Sequence, residues 1–207
     1  MMRTIGIALI IIGLTFSGYH LFNWFLARQS AEALTQKEIK KYKSIVKTVE
    51  SQNPKKETIT TPPKPRKKKE PPSYNAGEKM AELIIPKMGK KFSVYWGTDE
   101  KALKKGVGMY SNRKYTVTPG EKGHVVLSGH RDTVFIGLDS IQPGDKLAVK
   151  MNNKVYWYVV EKHWITDKDD RSVIVPTKTE RLTLTTCYPF DYFGHAPDRY
   201  IIQAKRV

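Results

Sequence analysis

Cys187 is the one cysteine in the 207 residues of this chain, and it stands in the run LTLTTCYPF (Leu182 to Phe190). A single cysteine cannot close an intramolecular disulfide, which leaves an inert small hydrophobe, an intermolecular link or a nucleophile. A free thiol, with a pKa of about 8.5, is mostly protonated at neutral pH, so a nucleophilic cysteine needs an imidazole or a cation beside it. Five histidines are available. His20 falls in an apolar run, His163 sits beside Trp164 in an aromatic stretch, and His124 precedes Val125-Val126-Leu127; all three read as non-catalytic. His130 closes GHVVLSGH just before the polar Arg131, Asp132 and Thr133, and His195 lies in the loop FGHAP after the cysteine. Arg199, in PDRY, supplies a planar set of donors for developing negative charge. A thiol and an imidazole at segment ends are placed as a nucleophile and its proton carrier would need to be, with a guanidinium that could hold negative charge.

These residues must be positioned by strands. Apolar, β-branched runs bounded by turn signals recur at 81–88, 92–97, 123–130, 145–151, 154–166, 181–187 and 199–207. Turns are marked by Thr118-Pro119-Gly120, Gln142-Pro143-Gly144-Asp145 and Asn152-Asn153. Short strands at this spacing predict an all-β domain, a closed or nearly closed antiparallel structure. Only 99–110 and 133–140 read as short helices or helical turns. Alternation puts Leu182, Leu184 and Thr186 on one strand face, with Thr183, Thr185 and Cys187 on the other. The leucines mark the core, so Cys187 falls on the opposite face.

Upstream, Ile5 to Leu26 carry no acidic or basic side chain apart from His20, and about 20 such residues suffice for a helix to span a bilayer. Ala31-Glu32-Ala33 fits a signal-peptidase site, but the apolar core stops near Phe16 and Trp24-Phe25-Leu26 prolongs it to anchor length. The chain is therefore divided into a cytoplasmic tail at 1–4, a transmembrane anchor at 5–26, a basic linker at 27–76 and a catalytic domain at 77–207. Residues 27–72 hold 13 basic and 5 acidic side chains, +8 of the net +16. The part 27–50 suits a charged helix or stalk, whereas PPKPRKKKEPP (62–72) is extended because proline lacks a donor. That basic run suits a solvated spacer, or attraction to anionic lipid or wall polymer. Nucleic acid is not an expected partner, since no zinc spacing or helix-turn-helix pattern accompanies the charge. By the positive-inside rule Arg28, Lys37, Lys40, Lys41 and Lys43 favour a cytoplasmic domain, whereas the chemistry favours an outside one, with N-in, C-out topology.

LTLTTCYPF, LSGHRDTVF (Leu127 to Phe135) and APDRYII (Ala196 to Ile202) together resemble the three signature segments of sortases, the cysteine transpeptidases of Gram-positive surfaces. The single N-terminal anchor and the wording TTCYP resemble the class D group of bacilli and clostridia. The resemblance implies an eight-stranded β-barrel, whose eighth strand is expected near 113–117. It implies Cys187 as nucleophile on an LPxTG-like sorting signal, His130 as proton donor and acceptor, and Arg199 as the group that holds substrate or oxyanion. Thr186 would assist the oxyanion or simply pack. Val173, Ile174, Val175 and Pro176 would receive the Leu-Pro part of the signal, and His195 would line the pocket. The implied partners are secreted proteins bearing the signal and a peptidoglycan-precursor amine, served by a monomer on the membrane. No cofactor and no required metal are expected, because Asp167, Asp169 and Asp170 lack a calcium-loop pattern. Two rival readings are a non-catalytic wall-binding β-domain and a cysteine peptidase that only hydrolyses the signal.

Overall fold

The computed structural model describes residues 2–29, 31–51, 74–191, 194 and 196–207. The stretch 62–72 and His195 lie outside the described residues.

The strands are β1 (Ala31–Ala33), β2 (Lys79–Ile85), β3 (Lys90–Trp96), β4 (Val107–Met109), β5 (His124–Ser128), β6 (Lys146–Met151), β7 (Lys154–Asp167), β8 (Arg181–Tyr188) and β9 (Asp198–Arg206). The helices are α1 (Met2–Gln29), α2 (Gln36–Ser51) and the one-turn α3 (Glu100–Leu103), with single 3-10 turns at Pro86–Met88 and Leu138–Ser140. Hydrogen bonding runs β3-β2-β6-β7-β9-β8-β5-β4, and β4 pairs again with β3, closing an eight-stranded barrel among the described residues. Two of its pairings, β3 with β4 and β5 with β8, are parallel, which the expectation of an antiparallel structure had not anticipated. Parallel neighbours need a crossover, so they cannot be read from adjacent runs in the chain.

Alternation along each strand fills the barrel. Leu83, Phe92, Val94, Leu147, Leu182, Leu184 and Ile202 are fully buried inside it. Asn152 and Asn153, both at positive φ, make the two-residue turn between Met151 and Lys154 that such a hairpin favours. β7 pairs with β6 along its first half and with β9 along its second, with a register shift between Val160 and Lys162 that bends it around the barrel.

The eighth strand is β4, inside the segment 99–110 that was read as helical, and not at 113–117. Asp99 does cap a helix, accepting from the Ala102 amide at 2.8 Å, but α3 stops after one turn. Gly108 then passes against the β3 end so closely that a Cβ there would lie 2.5 Å from the Gly97 carbonyl oxygen. A three-residue strand with glycine at its centre has no detectable period. Residues 113–117 are shaped by side chains: Arg113 donates from both terminal nitrogens to Glu121 at 2.9 Å, and Thr116 donates to the Tyr110 carbonyl at 2.8 Å.

α1 contains an apolar stretch, Thr4–Phe22, long enough to cross a bilayer, with none of its surface buried in the protein. The Thr15 hydroxyl donates to the carbonyls of Ile11 and Ile12, which satisfies it within the helix. Immediately after α1, β1 pairs with the first half of β3, from Lys90 to Phe92, on the edge whose second half is taken by β4.

Candidate active site

Cys187 is half-buried near the end of β8, and its direct partner across the β8–β9 pair is Arg199. Directly opposed residues on one sheet face have Cβ atoms roughly 5 Å apart, so thiol and guanidinium leave the barrel side by side. Thr166 of β7 is the next residue across that row, opposite Arg199. The guanidinium is oriented by its own chain, donating to the carbonyls of Asp198 at 2.9 Å and Ala196 at 3.3 Å.

His130 is brought to the same point by the parallel pair. Ser128 of β5 faces Thr185 of β8, and the Gly129 amide donates to the Thr185 carbonyl at 3.2 Å. Two residues past the end of β5 stands His130, and two residues further along β8 stands Cys187. The buried Thr186 hydroxyl donates to the Gly129 carbonyl at 2.7 Å, tying the residue before the histidine to the residue before the thiol. Thr186 is buried on the same strand face as Leu182 and Leu184. In the first turn of α3 the Glu100 carboxyl is held below its usual range by Lys104 and, to a lesser extent, by the charge of His130.

A cavity of about 240 Å³ lies beside this row, lined by Thr185, Arg199, Ile201, Ser128, Val173 and Ile174 among others. Small-molecule sites usually measure about 300 to 1,000 Å³, so this one is small. Val173 and Ile174 are in its lining; Val175 and Pro176 are exposed and are not. Instead, the Val175 carbonyl is held by His124. That ring is buried, bonded at 2.8 Å to the carbonyl and at 2.7 Å to the Thr183 hydroxyl. A carbonyl can only accept, so Nδ1 donates and Nε2 accepts from Thr183. Burial lowers the His124 pKa and favours that neutral form. His124 therefore pins the cavity segment onto β5 and β8.

Asp170 accepts from Ser172 and Thr166, Asp169 pairs with Lys168, and Asp167 accepts from the Asp169 amide, so these carboxylates are satisfied within their turn. Among the described residues no three histidine, cysteine or acidic side chains converge. His163 stacks against Tyr200, ring centroids 5.6 Å apart, at the barrel mouth. The sequence marks Arg131 only as a polar neighbour of His130. It donates to the carbonyls of Pro189 at 2.9 Å and Gly194 at 3.1 Å, fastening the loop after Cys187 to the loop after His130. Its signal was adjacency to a candidate base; its target, two backbone carbonyls, has no sequence signature.

Residues 83–207 match the sortase domain. The chain belongs to the sortase family. A curated relative, Sortase D of Bacillus subtilis (strain 168), is 46% identical over 132 residues, covering 63% of this chain and 65% of that protein. The chain thus matches slightly under two thirds of that relative's length. Among solved structures, this sortase is similar to the catalytic domain of B. anthracis SrtD, with 53% identity, a TM-score of 0.58, and coverage of 68% of this chain and 95% of that one. It is also similar to a Clostridium perfringens Sortase D5 transpeptidase, with 26% identity, a TM-score of 0.58, and coverage of 65% and 82%. The matched domain begins within β2, so β1 and α2 of this sortase stand upstream of it.

Proposed function

We propose that this sortase is a membrane-anchored cysteine transpeptidase, acting on secreted proteins with an LPxTG-like signal and on an amine of a peptidoglycan precursor. The observation that carries the reading is the pairing of Cys187 with Arg199 beside a cavity lined by Val173 and Ile174. The Cys187 thiolate attacks the carbonyl that follows threonine in the signal, forming the C–S bond of a thioester. His130, as imidazolium, gives its proton to the departing amine nitrogen as the peptide C–N bond breaks. The second half-reaction runs the proton the other way: neutral His130 removes one from the incoming amine, a new C–N bond forms and the thiolate leaves. Arg199 faces the carbonyl oxygen as it gains negative charge, and the apolar side chains of the cavity take the Leu-Pro part of the signal. α1 serves as the anchor, with the barrel outside the cytoplasm. The enzyme works as a monomer, and no metal or cofactor enters the chemistry.

Full-length protein in detergent, incubated with LPxTx peptides and an amine acceptor, should yield the threonine–amine conjugate by mass spectrometry. Cys187→Ala and His130→Ala should yield none while remaining folded. Exclusive hydrolysis would favour a peptidase, and no cleavage of any peptide would favour a binding domain.

A further inference from the structure

The outer face of the barrel carries an apolar row that water should not meet. Ile84 of β2, Ala148 of β6 and Trp157 of β7 are successive cross-strand partners pointing away from the barrel interior, yet all three are buried. The cover is α2 together with Leu34, which precedes it. Leu34 and Tyr42 are buried on this row, the Tyr42 ring stands edge-on to Trp157 at 5.8 Å, and Ile39, Ile45 and Val46 pack around them. The spacing 39, 42, 45 and 46 is one face of a helix.

Polar contacts fix the same segment. Thr35 and Glu38 form a reciprocal capping box, the Thr35 amide donating to the Glu38 carboxylate at 2.8 Å and the Glu38 amide to the Thr35 hydroxyl at 3.3 Å. Lys91 of β3 bridges Glu38 at 3.2 Å and Glu32 at 3.3 Å, and the Leu34 amide donates to the Gly89 carbonyl at 2.8 Å. The stretch 31–46, read from sequence as linker, is attached along its length.

Its position in the chain gives the attachment a purpose. Only Ser30 separates α1 from β1. From Phe22, the end of the apolar stretch, to Ala31 is nine residues, about 14 Å at the helical rise. The polar layer of a bilayer is about 5–8 Å deep on each side, so β1 begins just beyond it. On α2 the side opposite Tyr42 exposes Lys37, Lys40, Lys41 and Lys43. Four positive charges on one exposed side of α2 complement an anionic surface. After α2 the chain rejoins the barrel at Tyr74, whose ring meets Trp96 at 5.6 Å. Residues 52–73 therefore connect two points fastened to the barrel, and do not separate barrel from anchor.

We propose that residues 31–46 are a collar that seats the catalytic barrel directly on the bilayer, α2 laying its apolar face on the barrel and its lysine face on anionic lipid head groups. The proposal rests on α1 being the anchor. It makes the stand-off of the active site short and fixed, where a flexible linker of some fifty residues would leave it variable.

The test uses the full chain in nanodiscs of phosphatidylcholine, with or without phosphatidylglycerol. Co-elution with the disc tests the anchor alone, and its failure would remove the seat without touching the docking. Hydrogen exchange of the 36–46 amides tests the docking: they should be protected in the native chain and exchange on the order of 10-fold faster or more in Tyr42→Asp. Native exchange as fast as an unfolded chain would overturn the collar. Acetylation of Lys37, Lys40, Lys41 and Lys43 by a water-soluble reagent tests the lipid face. It should slow several-fold on phosphatidylglycerol discs relative to neutral ones, with exposed Lys178 unchanged. Equal rates on both discs would overturn the lipid assignment. So would protection conferred only by added soluble polyglycerol phosphate, which would point to wall polymer.

Discussion

Arg199 is held by the carbonyls of Ala196 and Asp198 at the point where β9 begins, so its guanidinium is oriented by its own chain. Lysine in its place keeps the charge and loses the planar fork. Arg199→Lys should therefore slow single-turnover thioester formation by about two to three orders of magnitude, as loss of an oxyanion donor does, with the melting temperature unchanged. Near-native acylation would put Arg199 outside the reacting group. For Thr186 we propose a positioning role, through its 2.7 Å bond to Gly129 next to His130. Thr186→Val keeps the shape and strips that buried carbonyl of its donor, at a cost of about 1–3 kcal/mol. Thr186→Ser restores the hydroxyl. If Thr186 positions the histidine, acylation should fall in the valine variant and recover in the serine variant, whereas a purely structural role would move only the melting temperature.

At the scale of elements, a histidine and a carboxylate hold two loops in place. His124 ties the cavity segment to β5 and β8 only while neutral, and its pKa is lowered from 6.5 by burial. Above pH 6.5 neither folded nor unfolded imidazole is charged, and this group gives no pH dependence. Below 6.5 the unfolded chain binds a proton that folded His124 resists, so stability should fall as pH drops from about 6.5 toward 5. A melting-temperature profile should show this limb in the native protein and lack it in His124→Gln. The loop 113–121 has the opposite chemistry. Burial alone would raise the Glu121 pKa, but Arg113 and the hydroxyl and amide of Thr118 outweigh it and hold the group at about 2, from an ordinary 4.5. That stability is present above pH 4.5 and is lost as pH falls toward 2. Glu121→Gln should lower the melting temperature at neutral pH and flatten the acid limb of the profile.

For the whole molecule the decisive question is which side of the membrane the barrel occupies. Within about 20 residues after the apolar span stand Arg28, Lys37, Lys40, Lys41 and Lys43, and only Arg3 precedes it, which by charge alone favours a cytoplasmic barrel. The collar supplies a physical role for four of those five, since Lys37, Lys40, Lys41 and Lys43 stand on the exposed side of α2. A membrane-impermeant protease added to intact protoplasts should digest the barrel, leaving the anchor in the membrane. Protection in intact protoplasts, followed by digestion after lysis, would reverse the assigned topology.

Local chemistry was legible in the chain itself. Alternation in Leu182, Leu184 and Thr186 put Cys187 on the outer face, Asn152-Asn153 marked a tight turn, and the three segments around His130, Cys187 and Arg199 carried the family. Each of these depends on residues close in sequence or on residue type alone. Closure of the barrel depended on contacts between distant segments: a three-residue strand around Gly108, and a parallel pairing that sets His130 beside Cys187 across 57 positions. The collar was hidden for the same reason. A lysine-rich amphipathic helix reads as a stalk until the row Ile84, Ala148 and Trp157 is assembled on three strands, and that row exists only once the sheet has formed, because burial is a property of neighbours and not of a run of residues.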